Sequence, residues 1–122
     1  MTGRTAGVAR VCPIEELPPG TMRGVLVDGR PVLVANVEGT LRAVDRICTH
    51  AEVDLAGGWL RAGTVTCPAH GSEFDLATGE ALSPPAYDPL AVHRAFLQDG
   101  WVHVEIRSEE REGGKSLWTQ RP

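Results

Sequence analysis

Apolar and polar positions alternate in short runs along most of the chain, the pattern of half-buried strands rather than helices. Val25-Leu26-Val27 and Val32-Leu33-Val34 flank Asp28-Gly29, a strong hairpin signal because both turn positions need positive φ. Glu38-Gly39 separates the second of these strands from Leu41–Val44, and Asp99-Gly100 separates Ala91–Leu97 from Trp101–Ile106. In the last strand Val102, Val104 and Ile106 fall on one face and Trp101, His103 and Glu105 on the other. Pro18-Pro19-Gly20 marks an early turn. The expected class is all-β.

Residues 46–89 have a different character. Apolar runs are short, glycines are frequent, and prolines gather at Pro84, Pro85 and Pro89. This stretch reads as loops and short strands held by something besides a core. From Ser108 onward the chain is charged, with Gly113-Gly114 and a single Trp118, and reads as a frayed tail.

Composition narrows the function. A chain of 122 residues with 42% apolar content suits one domain spanning 1–122. Net charge is −4, which argues against nucleic acid as a partner. No apolar run is long enough to span a membrane, and Met1–Arg10 lacks the apolar stretch of a signal peptide. Three cysteines, Cys12, Cys48 and Cys67, make a poor disulfide framework and fit a reducing cytoplasm. The charge is uneven. Residues 46–89 carry six acids (Glu52, Asp54, Glu73, Asp75, Glu80, Asp88) against two bases (Arg46, Arg61), while the flanking segments balance. The whole net charge therefore lies in the middle third, where it serves either solubility or docking to a basic partner.

The same third holds two ligand pairs, Cys48-Thr49-His50 and Cys67-Pro68-Ala69-His70. Each is compact enough for one tight loop, and two facing loops can close around a metal. Thiolate and imidazole donors suit zinc or iron–sulfur rather than calcium or magnesium. A Cys₂His₂ zinc site is chemically reasonable, but its usual layout pairs Cys with Cys and His with His. Here each pair is mixed, so each loop can supply one thiolate and one imidazole. A centre in which one iron takes two thiolates and the other two imidazoles needs that arrangement. Cys12, His93 and His103 stand on expected strands away from these pairs. Cys12 reads as a small strand hydrophobe and the two histidines as surface or half-buried residues.

The segments Cys48–Leu55 (CTHAEVDL) and Cys67–Gly79 (CPAHGSEFDLATG) resemble the two cluster-binding loops of Rieske-type [2Fe–2S] ferredoxins, and the likeness extends from Val11-Cys12-Pro13 through Ile106. It implies a Rieske fold, an antiparallel β-sandwich base with an inserted cluster-binding subdomain at about 46–89. It implies one [2Fe–2S] cluster per chain, with Cys48 and Cys67 on an inner iron and His50 and His70 on an outer one. Ser72 matches a hydroxyl that bonds a bridging sulfide, and Pro84 lies in a proline loop that covers the cluster. Phe74 stands where high-potential members have a Tyr donor. Val53 and Ala69 occupy the positions of the extra, disulfide-forming cysteines of the respiratory and photosynthetic branch, so the soluble ferredoxin branch is the closer likeness. Without the Tyr donor and the disulfide, the expected potential lies low in the Rieske range, roughly −150 mV. The implied role is a one-electron carrier, not itself an enzyme, between a flavoprotein reductase and a terminal, ring-hydroxylating oxygenase. The alternatives are a small subunit resembling that of nitrite reductase and an iron–sulfur assembly accessory.

Overall fold

The computed structural model describes residues 7–107; the expected tail and Trp118 lie outside them. Among the described residues nine strands form two antiparallel sheets: β1 (Val8–Pro13), β2 (Met22–Val27), β3 (Arg30–Val37), β4 (Thr40–Asp45), β5 (Trp59–Arg61), β6 (Thr64–Thr66), β7 (Glu73–Asp75), β8 (Val92–Gln98) and β9 (Trp101–Glu105). The larger sheet has the order β1-β9-β8-β4-β3-β2, and the smaller is β5-β6-β7.

Two-residue turns set the registers. Asp28-Gly29, Glu38-Gly39 and Asp99-Gly100 all take the doubly positive φ that suits the twist of a hairpin. Val27 then pairs with Arg30, Val37 with Thr40, and Gln98 with Trp101. A fourth such turn, Ala62-Gly63, joins β5 to β6, with Ala62 at φ 45. No hairpin signal marks that site in the sequence, because alanine rarely takes this conformation.

The β4–β8 seam is short, with only Ala43↔His93 and Val44↔Val92 in register. Around it the large sheet folds over itself. Val27, Val32, Val34 and Ala43 from one half pack against Cys12, Val102 and Val104 from the other, with Leu17 closing the cluster. This is the expected sandwich base, made from one continuous sheet. Val102 and Val104 are buried as the alternation predicts, and Cys12 fills β1 as a small hydrophobe.

The opposite face of β3 and β4 carries the second core. Leu33, Ala35 and Val44 pack against Leu55, Val65, Phe74, Leu76 and Leu90. β3 is thus walled in on both sides, which is why Val32–Ala35 is an unbroken apolar run rather than an alternating one. The chain leaves the base at Asp45 and returns at Val92. These ends are tied together where the Asp45 N–H donates to the Ala91 carbonyl at 2.9 Å. Everything between them, including the small sheet, rests on that second face.

Candidate metal centre

Two loops meet at one end of the second core. The first runs from Cys48 to Val53, after β4. The second, Cys67–Ser72, is the tip of the β6–β7 hairpin. Both are closed alike: the Cys48 N–H donates to the Val53 carbonyl at 2.9 Å, and the Cys67 N–H to the Ser72 carbonyl at 2.8 Å. Gly71 makes the second closure possible. It takes φ +81, and its N–H returns to the Cys67 carbonyl at 3.1 Å. In the first, Asp54 accepts from the Ala56 N–H at 2.9 Å and starts the 3₁₀ turn Leu55–Gly57.

These closures bring the sequence-predicted donors together. Cys48 Sγ lies 2.7 Å from His50 Nδ1, and His50 Nε2 lies 2.9 Å from His70 Nδ1. The ligand atoms of Cys48, His50 and Cys67 all lie within 4.8 Å of one another. The two imidazoles are tilted by 58° with centroids 5.1 Å apart. Burial splits the set: Cys48 is 3% exposed and Cys67 0%, whereas His50 is half-buried and His70 exposed. Burial pushes the Cys48 thiol up, and the nearby Cys67 adds to this, while backbone contacts at His50 and Ala51 oppose it. A metal that needs thiolates must therefore displace that proton. Soft sulfur inside and imidazole outside fit a two-iron centre with chemically distinct ends, and they supply the right number of donors for it.

A third segment spans both loops. The Thr49 hydroxyl donates to the Asp88 carbonyl at 2.8 Å, and the Ala86 N–H donates to Ser72 Oγ at 3.0 Å. Ser72 is fully buried. Since that bond uses a lone pair, its own O–H remains free to donate. Pro84 itself is exposed, so the proline-rich segment is anchored through Ala86 and Asp88. Phe74 is fully buried opposite Val65, in the same core as Cys48 and Cys67.

His93 departs from the sequence reading. It is 3% exposed rather than at the surface or half-buried, and both ring nitrogens are engaged. The Arg107 N–H donates to Nδ1 at 3.2 Å, which places the proton on Nε2, 2.8 Å from Asp45 Oδ1. Arg30 grips the same carboxylate through Nε and Nη2, each at 3.0 Å. Asp45 and His93 are 48 residues apart, and no local pattern announces the pair. His103 is half-buried and stacks on Phe96 at 5.1 Å, as a strand histidine on the outer face.

Among the described residues no helix is long and apolar enough to cross a membrane.

Residues 7–94 match the family model described as the Rieske [2Fe–2S] domain. The chain is 36% identical over 102 residues to the 3-phenylpropionate/cinnamic acid dioxygenase ferredoxin subunit of Photorhabdus laumondii subsp. laumondii, covering 82% of this chain and 95% of that one. It is 38% identical over 98 residues to the biphenyl dioxygenase ferredoxin subunit of Pseudomonas sp. strain KKS102, covering 80% and 90%. Among solved structures it is similar to a chain in the complex of reduced oxygenase and oxidised ferredoxin of carbazole 1,9a-dioxygenase, with TM-score 0.78, 33% identity and coverage of 82% and 94%.

Proposed function

Since the chain belongs to the Rieske [2Fe–2S] domain family, we propose that Cys48, His50, Cys67 and His70 hold one such cluster and that the protein is the ferredoxin component of a multicomponent dioxygenase system. The observation that carries this reading is the graded donor set, with two thiols sealed in the core and two imidazoles at the surface. A [2Fe–2S] centre bound there takes up and gives back one electron at a time. The chain's own residues supply the rest. Cys48 and Cys67 keep the inner end dry, and His50 and His70 bring the outer end to the surface. The Ser72 hydroxyl offers a hydrogen bond, and the segment 84–90 lies across both loops.

The partners are a flavoprotein reductase that supplies electrons and a terminal, ring-hydroxylating oxygenase that consumes them; the protein itself catalyses nothing. The likeness to ferredoxin subunits over nine-tenths of their length supports this, as does the likeness to a chain in a ferredoxin–oxygenase complex. The place of action is the cytoplasm, where three unpaired cysteines are at home. Metal analysis and redox titration test the reading. The reconstituted protein is expected to be brown, to carry two irons and two sulfides per chain as the cluster type requires, and to accept one electron. A colourless protein that retains zinc instead refutes it.

A further inference from the structure

We propose that Arg46 is a positioning residue for the metal centre, clamping both ends of the first ligand loop to β2 through Asp54 and through space left by Gly24. This rests on the reading of Cys48 and His50 as ligands. Arg46 precedes the loop and Asp54 follows it. The backbone joins them there: Ile47 bridges to Asp54, and the Leu55 N–H donates to the Arg46 carbonyl at 2.8 Å. The Arg46 side chain repeats the junction and extends it to the base. Nε lies 3.3 Å from Asp54 Oδ1, and Nη1 donates to the Val25 carbonyl at 3.2 Å. The backbone N–H of Arg46 reaches the Pro31 carbonyl at 3.2 Å. One residue thus ties β2, β3 and both ends of the loop.

Two locally unfavourable features account for one another here. Gly24 sits inside β2, where glycine weakens a strand. A Cβ at that position would fall 2.7 Å from Arg46 Cδ and 2.8 Å from Nη1, so the glycine is what lets the guanidinium lie across the strand. Arg46 Nε, in turn, is buried beside Asp54 without hydrogen-bond geometry, the only such buried side-chain nitrogen or oxygen among the described residues. A buried guanidinium nitrogen left without a partner is costly and is retained where the charge and position of its group serve another end. The first loop needs such an anchor. Besides its own closure, its tie to the 84–90 segment is, among the described residues, the one hydrogen bond from Thr49 to Asp88.

The test uses the cluster-loaded protein. Iron release to a ferrous chelator and the electron paramagnetic resonance spectrum of the reduced state are followed in the parent, Gly24→Ala, Arg46→Ala and the double variant. Gly24→Ala displaces only the end of a flexible side chain, so the fold survives. Each single variant is expected to release iron about tenfold faster, equivalent to about 1.4 kcal/mol. Both should shift the spectrum in the same sense, and the double variant should be no faster than the faster single. Arg46→Lys, which keeps the charge without the fork, should fall between parent and Arg46→Ala. Parental rates in Gly24→Ala, or rates that multiply in the double variant, overturn the clamp. A chain that never takes up iron overturns the ligand reading beneath it, a separate and visible failure.

Discussion

Replacing Asp45 by Ala should destabilise the fold mainly through a residue it does not touch in sequence, His93. The carboxylate accepts three bonds: two from Arg30 at 3.0 Å and one from His93 Nε2 at 2.8 Å. Ala removes the acceptor of all three. Arg30 is 41% exposed in its side chain and can turn to water, so losing its pair costs little. The His93 side chain has no exposure and cannot follow. An unsatisfied buried donor costs about 1–3 kcal/mol, so roughly 2 kcal/mol is expected. At about 4–8 °C per kcal/mol for a domain of this size, the melting point should fall by about 8–16 °C. The pH dependence carries a second signature. Burial pushes the Asp45 carboxyl up, but hydrogen bonds from His93 and Arg30 and the Arg30 charge more than offset it, and it ends below the usual carboxylate range. A group depressed on folding contributes stability that is full above its unfolded value and is lost as pH falls through its folded one. The gap between parent and Asp45→Ala should thus be constant near neutrality and should narrow below about pH 4. Urea unfolding of both proteins in the same metal state, from pH 7 downward, measures it. Equal stability at pH 7, or a gap that does not change in acid, refutes the reasoning.

Ala62→Asn should stabilise the protein by up to about 1 kcal/mol, because Ala62 sits at φ 45 and Asn tolerates that region better; thermal unfolding reads it, and a loss of stability would contradict the turn geometry. Ser72→Ala should lower the reduction potential and Phe74→Tyr raise it, since a donor favours the more negative reduced cluster; voltammetry should show shifts of tens of millivolts, about 59 mV being tenfold for one electron, and two unmoved potentials with intact clusters would remove both residues from the centre. Electron transfer with the cognate reductase should slow as ionic strength rises, because Glu52, Asp54, Glu73, Glu80 and Asp88 are exposed on the segment that carries the ligand loops; salt-independent rates would leave that charge to solubility alone.

The hairpins were legible where their turns use residues that take positive φ readily, as at Asp28-Gly29 and Asp99-Gly100. Ala62-Gly63 was hidden because the pairing of Arg61 with Thr64 across the turn, not local preference, puts Ala62 there. The donor pairs were legible because Cys and His are rare and each pair is local. What the sequence does not display is everything that depends on distant contacts. His93 looks like any strand histidine until Asp45 and the Arg107 N–H close on it. Gly24 looks like a weak point in β2 until Arg46 is laid over it. The two-sided burial of β3 was visible only as an apolar run, which does not say what covers either face.

That two-sided strand bears on portability. The stretch between Asp45 and Val92 is contiguous in sequence, bounded by paired ends, and carries all four proposed ligands, so it looks transferable to another scaffold. Yet Leu33, Ala35 and Val44, on which its core rests, belong to β3 and β4. Excised, the segment would present Phe74, Leu55 and Leu76 to water and would have nothing to hold its loops at a common distance. A graft would have to carry its floor with it. Because β3 is also a wall of the other core through Val32 and Val34, the smallest unit that can be moved is close to the whole protein.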